Sequence, residues 1–161
     1  MSRRKLRAAD AVAALIVIAI VVFVIAGPVT DNPPPTHAEY VAKADQVCTD
    51  IEEKQAELDR KVFRGIPYDE SPPDPLWSEY AKAILPTFDE QVERLRKIEP
   101  PRGDKPKVDA YLRAVLADRA LWQKVAQSPK NARLLDDHVT QNRADELGRK
   151  YGFRACAHAE D

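Results

Sequence analysis

Few side chains in this 161-residue chain are equipped for chemistry: two cysteines, three histidines and a scatter of carboxylates. Neither Cys48 nor Cys156 belongs to a C-x-x-C pair, the spacing that redox and zinc chemistry ask for. In an oxidising compartment an even pair reads most simply as a structural disulfide, with a redox or metal pair as the alternative. Such a bond closes a loop of about 100 residues, for which chain entropy allows about 4.7 kcal/mol and strain commonly trims the gain to about 2–4 kcal/mol. His37 falls inside Thr36-His37-Ala38-Glu39, His138 follows Asp136-Asp137, and His158 sits in the C-terminal tail. His138 has the chemistry of a pH-responsive or metal-binding group, but no second ligand stands at a helical spacing from it. A di-iron bundle needs Glu-x-x-His, and no glutamate here is followed three residues later by histidine. H-E-x-x-H, G-x-S-x-G and the phosphate-binding loop are absent, and the five glycines never cluster. Glu52, Glu53, Glu57 and Asp59 lie mostly off the apolar stripe and read as a solvated face. The expectation is no catalytic residue, no metal and no cofactor.

The elements that hold these groups are helices. Thr36 and Glu39 have the spacing of a capping box, in which each side chain satisfies the other residue's free backbone donor. The helix that follows carries Tyr40, Ala44, Val47, Cys48, Ile51, Leu58 and Val62 by threes and fours, with Gln55 the one gap and Gly65 past its end. Residues 66–75 (IPYDESPPDP) form a loop by their prolines. A second helix, about Leu76–Ile98, keeps Leu76, Trp77, Tyr80, Ile84, Phe88, Gln91, Val92, Leu95 and Ile98 in phase across Pro86, which predicts one helix kinked there. Pro100-Pro101 ends it. A third, about Lys105–Gln127, shows Val108, Tyr111, Leu112, Val115, Trp122, Val125 and Ala126, with Pro106 in its first turn. Ser128-Pro129 predicts the cap of a fourth helix reaching Tyr151. Its apolar residues Leu134, Leu135, Val139, Ala144, Leu147 and Tyr151 do not form one line, which brings His138 or Asn142 toward the interior. Gly152 caps that helix and Phe153 packs back on it. Four such helices pack most simply up-down-up-down, with the first and fourth as neighbours, and a Cys48–Cys156 bond fits that arrangement. Trp77, Tyr80, Phe88, Tyr111 and Trp122 serve as core or as the lining of an apolar pocket. Phe63, Ile66 and Tyr68, on the proline-rich loop, form the candidate contact surface.

Upstream, residues 11–29 (AVAALIVIAIVVFVIAGPV) carry no ionisable side chain. About 19 residues make roughly 28 Å of helix, close to the ~30 Å of a bilayer core. Arg3, Arg4, Lys5 and Arg7 precede them, and by the positive-inside rule residues 1–10 stay cytoplasmic while the rest faces out. The run exceeds the ~7–15 apolar residues of a secretory signal, which favours an uncleaved anchor held by membrane lipid. The alternative is cleavage near Ala26 and secretion. Residues 30–36 then form a proline-rich spacer, and 37–161 the helical domain. Without the N-terminal flank, 21 Lys and Arg stand against 25 Asp and Glu, an acidic balance that disfavours nucleic acid as a partner.

Three segments carry a likeness: Ala44-Asp45-Gln46-Val47-Cys48, the Leu85-Pro86 helix with Leu95 and Pro100-Pro101, and the ending Tyr151-Gly152-Phe153-Arg154-Ala155-Cys156. On these the chain resembles a group of small exported or membrane-anchored actinobacterial proteins of unknown function. The resemblance implies an exported domain and a disulfide, and no activity. Similar proteins often bear a lipid-modified cysteine. None stands beside the apolar segment here, so that feature does not carry over. The expected architecture is all-α: an N-terminal transmembrane helix, then an extracytoplasmic up-down four-helix bundle with one disulfide. The expected role is protein binding or scaffolding at the cell envelope. A binder or sensor of a small apolar ligand or metal ion is the alternative, and an enzyme comes third.

Overall fold

The computed structural model describes residues 33–67, 70–136 and 139–157. Residues 1–32, and with them Arg3, Arg4, Lys5, Arg7 and the apolar run, lie outside these, as do Tyr68, His138 and His158. The described domain is all-helical and holds one disulfide. Its elements are α1 (His37–Val62), α2 (Asp74–Arg96), α3 (Lys105–Gln127) and α4 (Val139–Tyr151), with 3-10 segments at Pro129–Leu135 and Ala155–Ala157. Among the described residues no helix is long and apolar enough to cross a membrane.

The start of α1 follows from its sequence. Thr36 Oγ1 accepts from the Glu39 amide at 3.3 Å, and the Glu39 carboxylate accepts from the Thr36 amide at 2.8 Å. One face of α1 then buries Tyr40, Ala44, Val47, Cys48 and Ile51. Gly65 takes φ +83° just past its end, a conformation that side-chain-bearing residues rarely adopt. The second helix runs through Pro86 as the unbroken stripe requires. Beside the proline, Thr87 is buried, donates to the Ile84 carbonyl at 2.7 Å and accepts from Gln55 Nε2 at 2.8 Å. Gln55, the gap in the α1 stripe, is thus spoken for by the next helix.

Cross-links give the helix directions. Asp50 meets Arg94 and Lys54 meets Glu90, so α1 and α2 run antiparallel. Asp89 pairs with Arg119 while Ser78 donates to the Ala126 carbonyl, so α2 and α3 do too. Thr140 bonds Asp118, and Tyr151 lies beside Lys107, which turns α4 back along α3. The order is up-down-up-down.

The fourth helix differs from expectation. It is not one α-helix from Pro129: residues 129–135 form a 3-10 segment packed on α2 and α3, and the α-helix is Val139–Tyr151. Ser128 makes no side-chain cap; instead Asn131 Nδ2 donates to the Lys124 carbonyl at 2.7 Å, folding the segment back on the end of α3. The cause lies in the broken apolar line: Ala132 is buried, while Leu134 and Val139 are 39% and 67% exposed. Asn142 stays exposed, and the polar group that α4 brings inside is Asp145.

The first and fourth helices meet through side chains at one end, where Tyr151 packs on His37 and Tyr40 with ring centroids 4.7 and 5.9 Å apart, and their backbones stay further apart than expected. No Cα of α1 comes within 8 Å of one in α4; the C-terminal 3-10 turn packs on both. Cys156 in that turn is bonded to Cys48 of α1, 108 residues away, with their Cα atoms 5.1 Å apart. Asp45 accepts from the amides of Arg154 and Cys156 at 3.0 and 3.3 Å, and Tyr111 donates to the Cys156 carbonyl at 3.0 Å. On the other side Ala157 sits so close to Gly148 that an added Cβ would meet its Cβ at 3.0 Å. Gly152 (φ +102°) turns the chain, and Phe153 packs among Tyr40, Tyr111 and Tyr151.

At the foot of α1, Asp104 accepts from Lys107 Nζ at 2.9 Å and Tyr151 Oη at 3.1 Å, and pairs with His37 Nδ1 at 3.1 Å. These partners, Lys107 and then His37 first, hold its carboxyl down at about 2. A folded value below the unfolded one of 3.8 stabilises the fold above about pH 4, a contribution lost as pH falls from 4 toward 2. The melting-temperature gap between wild type and Asp104→Asn will therefore be widest above pH 4 and shrink toward pH 2; a constant gap would rule this linkage out. Replacing both Cys48 and Cys156 by Ala will cost about 2–4 kcal/mol in denaturant unfolding, with the chain still helical by circular dichroism.

Candidate functional site: a cleft walled by aromatic rings

The charged residues of the facing helices sort themselves by position. On the α1–α2 surface Arg94 bonds Asp50 at 2.5 Å and Glu90 at 3.4 Å, and Lys54 bonds Glu90 at 2.5 Å. Arg94 and Lys54 pull the Asp50 and Glu90 carboxyls below their usual range. Arg119 grips Asp89 with two bonds, at 2.6 and 2.8 Å. These exposed pairs set helix register more than they add stability.

Between the helices lie two cavities that share a wall. The inner one, of about 180 Å³, has the disulfide on its floor, with Cys48, Cys156 and Ala155 beside Ile51, Ile84 and Phe88. The outer one, of about 250 Å³, is lined by Trp77, Leu121 and Leu135 together with Asp59 and Thr140. Tyr80, Asp118, Trp122 and Gln141 line both. Glu52, Gln55 and Gln91 complete the inner wall, and Gln91 Nε2 stands 3.4 Å from Cys48 Sγ.

Trp77 and Tyr80 of α2 and Trp122 of α3 build the outer wall, and a further ring packs against the first two. Phe63, at the end of α1, lies 4.9 Å from Trp77 and 5.1 Å from Tyr80, centroid to centroid. Tyr80 stands nearly perpendicular to Trp77 and to Trp122, at 76° and 77°. Burial, with the charge of Asp59 second, pushes the Tyr80 phenol up to about 12, so the ring stays neutral. Asp118, only 9% exposed, accepts from Thr140 Oγ1 at 2.7 Å.

Of the aromatics expected as core or pocket, Trp77, Tyr80, Phe88 and Trp122 line the cavities, while Tyr111 is buried behind the C-terminal turn. Phe63 is turned onto its own domain and Ile66 is half-buried; Tyr68 lies outside the described residues. Of the carboxylates expected on a solvated face, Glu53, Glu57 and Asp59 are exposed, Asp59 at the edge of the outer cavity, whereas Glu52 is half-buried and lines the inner one. The sequence held a signal for this. Cys48, Glu52, Gln55 and Asp59 recur at a 4-3-4 spacing, one helix face beside the apolar stripe. Asp118 likewise falls in phase with Val108, Tyr111, Val115 and Trp122, an acid standing where the stripe calls for an apolar side chain. Among the described residues no group of three or more His, Cys, Asp and Glu is arranged to hold a metal ion.

Compared with known proteins, the chain matches no family model, no curated protein and no solved structure.

Because Phe63 is packed against Trp77 and Tyr80, Phe63→Ala will lower unfolding stability by about 1–3 kcal/mol and shift tryptophan emission. Unchanged stability would instead return the ring to the role of a partner contact.

Proposed function

We propose that this chain is a membrane-anchored, extracytoplasmic helical domain that binds a small ligand in the cleft between α1, α2, α3 and α4. The observation that carries the ligand is the pair of adjoining cavities, walled by Trp77, Tyr80 and Trp122 and edged by polar groups. Small-molecule sites are concave and set apolar walls beside placed polar side chains, and the outer cavity has the more apolar lining of the two. The address rests on residues 11–29 behind Arg3, Arg4, Lys5 and Arg7, and on a disulfide suited to an oxidising compartment. Secretion after cleavage near Ala26 is the alternative address. A protein-binding or scaffolding role is the second reading. Leu134 and Val139, the exposed large apolar residues among those described, favour it at the 3-10 segment and the start of α4.

Native mass spectrometry of the full-length protein from the membrane fraction, in a non-ionic detergent, tests both parts. A full-length mass carrying an adduct that denaturation removes is the expected result. A mass beginning near Gly27 would make the protein secreted. A chain that never carries an adduct, from any source, would favour the scaffolding role.

A further inference from the structure

We infer that the end of the domain where α1 starts, α2 turns into α3 and α4 finishes docks on the membrane surface through anionic lipid head groups. The inference rests on the membrane-anchored reading above and adds a second contact with lipid, made by the helical domain itself.

Chain length is the first support. The apolar run ends at residue 29 and α1 begins at His37. The steps between them span at most about 29 Å, and about 25 Å in the polyproline geometry that Pro33, Pro34 and Pro35 favour. The start of α1 has company at its end of the domain. Asp104, just before α3, pairs with His37 at 3.1 Å and accepts from Tyr151, the last residue of α4, at 3.1 Å. A lipid surface at the end of the tether is therefore within reach of all three. The far end of α1, 26 residues long, lies about 39 Å from its start.

Charge is the second. Residues 31–161 are acidic as a whole, 21 Lys and Arg against 25 Asp and Glu, but this end is not. Residues 96–107 hold Arg96, Lys97, Arg102, Lys105 and Lys107 against Glu99 and Asp104. The connections at the opposite end, 59–74 and 128–137, hold five basic residues against six acidic ones. Lys97, Lys105 and Lys107 each have an acidic neighbour, so they add little to the balance. The surplus lies with groups that lack one. Arg96 and Arg102 are exposed and form no ion pair among the described residues, and Arg149 of α4 bonds only the Ala157 carbonyl, at 3.4 Å. Glu99 alone stands against them. Basic groups held close to an anionic leaflet are each attracted to it.

A groove is the third. Between the first turns of α3 and the last turn of α4 lies a shallow depression of about 310 Å³, floored by Pro106, Ala110, Leu147 and Tyr151, with Lys107 and Lys150 lining it as well. Both lysines are 67% exposed, in ion pairs that water screens and a phosphate can replace. Lysine stems along apolar surface, with their charges in the head-group layer, are how side chains sit at a membrane interface. A soluble anion has no use for the apolar floor; a lipid surface meets both features.

The full-length protein is placed in lipid nanodiscs of phosphatidylcholine, alone or with phosphatidylglycerol, and amide hydrogen exchange is compared. Residues 98–110 and 147–153 are expected to exchange at least about threefold more slowly with phosphatidylglycerol, and residues 59–67 to stay unchanged. Added salt is expected to remove the difference. Replacing Arg96→Glu and Arg102→Glu together changes two exposed side chains without ion-pair partners, and an unchanged melting temperature checks the fold. That variant is expected to lose the lipid difference, and Lys61→Glu with Arg64→Glu, at the far end, to keep it. Equal exchange in the two lipids, or a difference that survives in the Arg96 and Arg102 variant, would overturn the docking and leave the anchor in place. A chain that does not stay with the discs would overturn the anchored reading, and the docking with it.

Discussion

The domain depends on how its C-terminal tail is fastened. α4 touches α1 through Tyr151, which packs on His37 and Tyr40; beyond that contact the turn at Ala155–Ala157 packs on both helices. The Cys48–Cys156 bond is one of several attachments there. Asp45 takes two backbone N–H groups of the tail, Tyr111 gives its hydroxyl to the Cys156 carbonyl, and Gly148 lets Ala157 come close. Buried backbone groups need partners, and an irregular tail in a bundle interior has no helix ladder to supply them. The covalent bond limits the unfolded chain, while these polar contacts make the tail tolerable once inside.

The same tail creates the cavity. A fourth helix laid directly along α1 would bring side chains down the whole seam; a short turn wedged at one end does not. Beyond the turn the seam is left to Glu52, Gln55, Asp118 and Gln141, and the space between them stays open above the disulfide. The 3-10 segment at Pro129–Leu135 contributes from the other side, because it puts Leu135 and not a regular helix against Trp77 and Trp122. Two departures from a regular bundle therefore converge on one place. Irregularity of this kind costs packing, and it sits where the domain has room for something other than itself.

Charge placement fits that division. The basic partners of Asp50, Glu90 and Asp89 lie on the outer helix surfaces, where water screens them and the pairs contribute little energy. Asp118, only 9% exposed, lines both cavities, a setting where charge counts for more.

Much of the domain was legible in its sequence, because local physics decides it. The capping box at Thr36 and Glu39, proline in the first turn of α3, Gly65 and Gly152 in left-handed turns, and the apolar stripes of α1, α2 and α3 need no distant partner to be read. The pairing of Cys48 with Cys156 was legible too, since two cysteines allow one bond. The break in the fourth helix showed only as a disordered stripe, because a 3-10 segment is chosen by what it packs against, here α2 and α3. The placement of Glu52 and Asp118 was not legible for a related reason: a carboxylate on or beside a stripe is solvated or enclosed according to which helix faces it. Sequence by itself determined the first three helices, the capping box of α1 and the disulfide, all set by short-range geometry and by counting. Only the tertiary structure decided that the tail packs on both α1 and α4, and that aromatic rings and acids share a cleft, because both depend on contacts between residues far apart in the chain.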